Sequence, residues 1–369
     1  LAVFVFLDES HRIKGGRGRT TADTVLSLCH LPAGKLLMSG TPMPQSLDDL
    51  VPQFAFLYPE CPAGADDVVS KVRPVFVRTT KGELGLPPVK RVVIPVEMRP
   101  AQRRLYDLMK DEVVRQAEAA LTSQSRHALR VLGRSVMHLL QVVSNPPLLA
   151  GQIALAHRAL LEEVLGEGDS PKFAYACGRA RQLARDGRKC IIWTTFRQNV
   201  EALASRLEDL NAVFIHGGID AGSEDDLDTR EGRIRQFHRD PSCFVLVANP
   251  AAAAEGISLH KVCHHAIYVE RTFNAAHYLQ SEDRIHRLGL RQDEGPVVEI
   301  IECTRSIDQS VRVRLDAKVT RMAKALNDPS LVIDPVPLAL LSDDDGDEDS
   351  GSLDVDDVRA ILAILRDEA

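Results

Sequence analysis

From residue 190 to residue 301 one pattern repeats: a short apolar run, a polar turn, an amphipathic stretch, then another apolar run. Strand signals stand at Cys190 to Thr194, Ala212 to Ile215, Phe244 to Ala248, Ala266 to Val269 and Val297 to Ile301. Helical spacing fills intervals at about Gln198 to Leu210, Glu231 to His238 and Ala276 to Leu288. Apolar strands separated by helices pair in parallel, because a parallel neighbour needs a crossover and the crossover helices cover the sheet. The fold class is therefore α/β, with helices on both faces of a parallel sheet.

The same logic extends to the N-terminal part. Ala2 to Leu7 (AVFVFL) is apolar throughout, as expected of a strand covered on both faces, and it runs straight into Asp8 and Glu9. Lys35 to Met38 is a second short run, ending in Ser39-Gly40-Thr41-Pro42. Ligands of open parallel sheets collect at the strands' C-terminal ends, which makes both turns candidate sites. Between Pro100 and Gly166 the spacing turns helical, with Leu105, Leu108, Met109, Leu139, Leu140 and Val143 three or four residues from a partner. This reads as a helical insertion closed by the linker GEGDSP.

Composition excludes several classes. No apolar run approaches the roughly 20 residues of a membrane-spanning helix, so no membrane role is expected. The 7 cysteines form no CxxC pair, against a disulfide framework or zinc ribbon and for a reduced cytoplasmic setting. The chain begins with Leu1, and its first apolar run lacks the basic flank of a signal peptide, so it reads as truncated, not targeted. Net charge is −7, but Ser342 to Asp357 holds nine acidic residues; without them 45 basic residues face 43 acidic ones. The body is near neutral, and any groove for nucleic acid must be local.

Two motifs carry chemistry. Asp8-Glu9-Ser10-His11 at a strand's end suits phosphoryl transfer: Asp8 holds the hydration shell of magnesium, and Glu9 orients and deprotonates water. An acidic pair in a surface turn is the plainer alternative. In QSEDRIHR, Gln280, Arg284 and Arg287 are spaced by four and three, so on a helix they share a face and two guanidinium groups point at one anion. Such a fork suits charge developing on a γ-phosphoryl group. A solvated face with Asp283 paired to Arg287 is the alternative there. Arg12, Lys14, Arg17 and Arg19 lie among glycines, a composition able to meet a phosphate backbone or to form a solvated loop. His260, His264, His265 and Cys263 crowd together, but adjacent strand residues point oppositely, which disfavours a zinc site.

DESH, SGTP and QxxxRxHRLG occur in the order of helicase motifs two, three and six. RTTK from Arg78, LPPVK from Leu86, VIPVEM from Val93, QVVSNPPLL from Gln141, SPK from Ser170, KCIIWTTF from Lys189, HGGID from His216 and the stretch Asn249 to Leu259, ending AEGISL, lie between them. In this ordered set the chain resembles the Swi/Snf-type branch of superfamily-two helicase-like ATPases, from Leu1 to about Thr304. The resemblance implies two RecA-like lobes. Residues 1–99 would be the later part of the first lobe, 100–168 the insertion, 169–305 the second lobe, 306–341 an extension and 342–369 an acidic, disordered tail with a short amphipathic helix over Val355 to Leu365.

It further implies ATP and magnesium as cofactors and double-stranded DNA as partner. Asp8, Glu9, His11, Gln280, Arg284 and Arg287 would serve the nucleotide, and Gly256 would allow close backbone approach to it. Ser39 and Thr41 would couple nucleotide state to DNA. Arg12, Lys14, Thr195, Gly217, Gly218 and Ser258 would meet the DNA backbone without reading bases. The family pattern departs at Ser258, Thr79 and Leu290, which stand where Asn, Arg and Gln are common. No GxxxxGK[ST] occurs, so the phosphate cradle would lie upstream and this polypeptide alone is expected to be inactive. The implied activity is translocation on duplex DNA; a strand-separating helicase and a nucleic-acid-binding scaffold without ATPase activity are the alternatives. Arg outnumbers Lys 34 to 11, which points to a GC-rich bacterial source and a place on the nucleoid.

Overall fold

The computed structural model describes residues 2–13, 20–43, 46–123, 126–152, 157–252, 257–271 and 275–326, with 358, 359, 362, 363, 365 and 366 near the C-terminus. Two compact units are present. One comprises Leu1–Gly85, Asn274–Leu279 and Ala317–Asp334; the other Leu86–Phe273, Gln280–Asp316 and Pro335–Ala369.

In the first unit β1 (Phe4–Leu7) pairs in parallel with β2 (Gly34–Leu37), in the register Phe4 to Gly34 through Leu7 to Leu37. α1 (Thr20–Ser27) connects them, and α2 (Leu50–Leu57) and α3 (Val68–Val72) follow. Val5, Leu7 and Leu37 pack on Ile13, Ala22, Cys29 and Phe56. Among the described residues nothing covers the other face of β1: Phe4 and Phe6 are 64% and 62% exposed. This corrects the expectation of a strand covered on both faces, since an all-apolar run records the strand's preference but not which neighbours it has. Gly34 has a steric reason: a Cβ there would lie 2.4 Å from the Phe4 ring.

The second unit holds a six-stranded sheet in the order β3-β8-β7-β4-β6-β5, with every neighbouring pair parallel. Its strands are β3 (Lys90–Val96), β4 (Lys189–Trp193), β5 (Val213–Ile215), β6 (Val245–Ala248), β7 (Cys263–Tyr268) and β8 (Val297–Cys303). The parallel α/β class read from the sequence is what is found. Residues up to 99 were expected to belong to the first lobe, yet β3 is an edge of this sheet, paired from Lys90 to Val297 through Val96 to Cys303. The edge position accommodates Pro95. Lys90 N donates to the Pro296 carbonyl and Thr304 N to the Val96 carbonyl, both at 2.9 Å. By alternation Pro95 turns its nitrogen away from β8, so no ladder bond is lost.

The stretch expected to be a helical insertion holds α4 (Pro100–Ser123), α5 (Arg126–Ser144) and α6 (Arg158–Gly166), with α4 packed on both others. α7 (Pro171–Arg185), α8 (Arg197–Arg206) and α9 (Arg230–Arg239) alternate with the strands, and α10 (Ala275–Glu282) and α11 (Ile307–Leu326) flank β8 in the chain. Phe173, Ala176, Ala180 and Leu183 of α7 and Val200 and Leu203 of α8 close over Cys190, Ile192, Val245, Val247 and Ile267 as the main core. Within the expected acidic tail, residues 358, 359, 362, 363, 365 and 366 are helical and Val358, Leu362 and Leu365 are buried, while Arg366 pairs with Glu118 of α4. Ser342 to Asp357 lies outside the described residues. Among the described residues no helix is long and apolar enough to cross a membrane.

Candidate active site

In the first unit the chain leaves β1 through a sharp reversal. Glu9 takes a left-handed φ of 48°, a conformation that costs a side-chain-bearing residue on the order of 1 kcal/mol and is met mostly where a site needs it. Main-chain bonds lace the ends of the two strands: Met38 N donates to the Leu7 carbonyl at 2.9 Å, and Ser10 N to the Met38 carbonyl at 3.0 Å. The lacing gathers three side chains. His11 Nδ1 lies 3.3 Å from Glu9 Oε2 and 3.0 Å from Ser39 Oγ. Ser39 Oγ in turn accepts the Thr41 amide at 3.2 Å. Thr41 is buried and its hydroxyl has no hydrogen-bond partner. Asp8 is exposed, with one carboxylate oxygen accepting the Glu9 amide at 2.9 Å. Ser10 anchors the turn through Gln53 Oε1 at 2.8 Å, and Gln53 donates to the Pro42 carbonyl at 2.6 Å. Arg12 is exposed in the short helical turn Ser10–Ile13; Lys14 lies outside the described residues.

The arginines belong to the second unit and depart from the expected geometry. α10 ends at Glu282, not near Leu288, so only Gln280 of the three is on the helix, where it is buried. Beyond it the amides of Arg284 and Ile285 bond three residues back, to Ser281 and Glu282, which tightens the chain into a turn. The two guanidinium groups still converge. Arg284 Nη1 lies 3.1 Å and Arg287 Nη1 3.5 Å from the Ile257 carbonyl. Leu259 N donates to the Arg284 carbonyl at 2.9 Å, so the turn and the segment Ile257 to Leu259 are bonded from both sides. Ser258 Oγ contacts His260 Nδ1 at 2.9 Å, and burial with the neighbouring Arg287 charge holds that imidazole below its ordinary pKa. Gly256 lies outside the described residues.

The remaining positions sit at the C-terminal ends of β4, β5 and β6. Thr195 is buried, its hydroxyl is without a partner, and its carbonyl accepts Asn249 Nδ2 at 2.5 Å. Asn249 N donates to the Ile215 carbonyl, just before His216, Gly217 and Gly218. The Gly218 amide is taken by His216 Nδ1 at 3.1 Å. Behind Thr195, Glu270 Oε1 accepts from Thr194 Oγ1, Asn199 Nδ2 and Ser144 Oγ at 2.7 to 2.9 Å. That buried network joins β4, α8 and the end of the insertion.

Several residues escaped the sequence reading. Arg197, exposed at the first turn of α8, comes so near Gly218 that a Cβ there would meet its guanidinium at 2.6 Å. A basic residue directly after the TTF run was the available signal. Asn249 was read only as the start of the stretch ending at Leu259, and Asn199 in RQNVE and Glu270 in VERT have polar neighbours in the chain, so nothing local marked their burial.

The comparisons agree with this layout. A profile described as the helicase conserved C-terminal domain matches residues 173–289, which hold Thr195, Gly217, Gly218, Ser258, Gln280, Arg284 and Arg287. The chain is 25% identical over 361 residues to the ATP-dependent DNA helicase DDM1 of Arabidopsis thaliana, covering 86% of this chain and 44% of that protein. It is 24% identical to the ISWI chromatin-remodeling complex ATPase CHR11 of the same plant, covering 87% of this chain and 31% of that one. The chain thus spans less than half the length of these relatives. The Sulfolobus solfataricus SWI2/SNF2 ATPase core solved in complex with dsDNA is similar at 18% identity and a TM-score of 0.46, over 88% of this chain and 69% of that one. Residues 173–289 thus match the helicase conserved C-terminal domain, and over most of its length the chain is similar to helicase-like ATPases of the Swi/Snf type.

Proposed function

We propose that the protein hydrolyses ATP to translocate on double-stranded DNA, with Asp8 and Glu9 on the water side of the reaction and Arg284 and Arg287 on the charge-stabilising side. The observation that carries this reading is the convergence of two guanidinium groups on one carbonyl oxygen. Two permanent cations brought to one oxygen are placed to stabilise an anion that gains charge beside them.

The residues fit the cofactors. Asp8 is exposed, with one carboxylate oxygen accepting the Glu9 amide, and a carboxylate is the hard ligand a hydrated magnesium ion takes. When bound, magnesium-ATP supplies the phosphoryl group passed to water. Glu9 accepts the water's proton on its carboxylate, and His11, within reach of both Glu9 and Ser39, conveys the state of that carboxylate to the Ser39-Thr41 turn. Exposed Arg12 and Arg197 are suited to phosphate contacts on duplex DNA, which grip without reading sequence.

The test is the ATPase rate of the complete gene product with and without duplex DNA. Glu9→Gln and Arg287→Ala are each expected to lower it on the order of 100-fold or more. Wild-type rates in either variant overturn the assignment. Displacement of a triplex strand without separation of the duplex supports translocation; duplex separation instead identifies a strand-separating helicase.

A further inference from the structure

A residue far from the motifs holds the arginine turn in place. Arg91, on the edge strand β3, forks onto Glu282: its Nε lies 2.9 Å from Oε2 and its Nη2 2.5 Å from Oε1. The Glu282 side chain is 1% exposed. Four residues earlier in the same stretch, the Pro87 carbonyl accepts His286 Nε2 at 2.8 Å, and His286 too is buried. Glu282 and His286 bracket Arg284, and His286 adjoins Arg287. One stretch of chain, Pro87 to Arg91, therefore grips the turn on both sides of its first arginine. Glu282 is also where α10 stops, so the forked pair fixes the point from which the turn departs.

From this geometry we infer that Arg91 is a positioning residue for ATP hydrolysis, acting through Glu282 to set where the Arg284 and Arg287 guanidinium groups lie. It touches neither substrate nor reacting atoms. The inference rests on the arginine roles proposed above and adds a specific prediction to them. A planar fork matched to a buried carboxylate fixes direction as well as distance, which a single ammonium contact does not. Losing the fork leaves the arginines present but displaced, and a displacement of about 1 Å is enough to cost on the order of 100-fold in a well-aligned site.

The experiment measures kcat and KM for ATP in the complete gene product, together with thermal midpoint, for Arg91→Met, Arg91→Lys, Arg287→Ala and the Arg91→Met/Arg287→Ala double variant. Expected are a kcat lowered roughly 10- to 100-fold in Arg91→Met with KM within about threefold, partial recovery in Arg91→Lys, and a double variant no slower than Arg287→Ala alone, since both changes remove the same contribution. Unchanged kcat in Arg91→Met while Arg287→Ala is impaired overturns the positioning role and leaves the arginine role intact. Unchanged kcat in Arg287→Ala overturns the arginine role itself. If Arg91→Met does not fold, Arg91→Lys decides: a lowered kcat at wild-type thermal midpoint supports positioning. Additive losses in the double variant, or a loss that follows the thermal midpoint alone, overturn it.

Discussion

Lys172 Nζ lies 2.7 Å from Asp308 Oδ2, with the two side chains 1% and 8% exposed. The ammonium also donates to the Val269 carbonyl at 3.0 Å, and Asp308 accepts the Cys303 amide at 2.7 Å. Burial pulls the ammonium's pKa down, but Asp308 and the other acidic neighbours outweigh it and raise it overall. Lys172→Met strands the Asp308 carboxylate in the interior. The expected loss is about 3–5 kcal/mol in a denaturant titration. A loss below about 1 kcal/mol would mean that desolvation cancels most of what the pair contributes.

Glu299 on β8 has the opposite titration logic from its neighbour Glu302. Burial pushes its carboxyl up, but hydrogen bonds from His265, Tyr175 and Arg179 outweigh it and take the pKa down to about 2. A depressed carboxyl stabilises the fold above its unfolded pKa near 4.3 and loses that contribution as pH falls toward 2. Glu299→Gln should therefore lower the thermal midpoint at pH 7, and its deficit should shrink as the pH is taken below 4. A deficit independent of pH would remove Glu299 as the acid-sensitive group.

Glu302, buried beside Arg312 at 2.9 Å, has a carboxyl raised to about 7, chiefly by burial against the opposing pull of Arg312. The folded state binds a proton that the unfolded state has released, so this residue's contribution falls as pH rises from about 4.5 to 7. Measured against Glu302→Gln, the wild type should become relatively less stable across that window and then level off. A wild-type advantage growing with pH would contradict the raised value.

Gly232 sits in the first turn of α9, where its amide meets the capping Thr229 hydroxyl at 3.1 Å. A Cβ at this position would lie 1.8 Å from the Asp226 carbonyl oxygen, and main chain cannot swing aside as a long side chain can. Gly232→Ala is expected to cost about 3 kcal/mol despite alanine's better helix propensity. Native-like stability would show that the 223–229 loop relaxes freely.

Arg197→Ala should weaken duplex-DNA binding similarly across sequences and reduce the slope of log affinity against log salt by about 1. An unchanged slope would place Arg197 outside the DNA contact.

Much of this arrangement was legible in local pattern. Strands β4 to β6 and β8 start or end within two residues of the apolar runs that announced them; β4, β6 and β8 are buried almost throughout and their composition says so. β7 begins earlier, at Cys263, where His264 and His265 break the apolar run, the register against β4 shifts, and His265 pairs with Val297 of β8. The helix through Arg284 was read too long for a non-local reason: the residue that marks its end, Glu282, is held by Arg91, 191 positions away. The stretch KRVVIPV was grouped with the first lobe for want of any local sign of its partner, since its pairing with β8 joins residues about 200 positions apart. The bare side of β1 shows the reverse case, where an apolar run promised neighbours that the described residues do not supply.

Pro95 has an effect beyond fitting harmlessly at the margin. An extended polypeptide drawing alongside β3 would meet a ring methylene where it needs an amide hydrogen, and the ladder would stall there. The six-stranded sheet is thereby capped against growth from that side, so crowding many copies together does not turn this flank into a template for stacking.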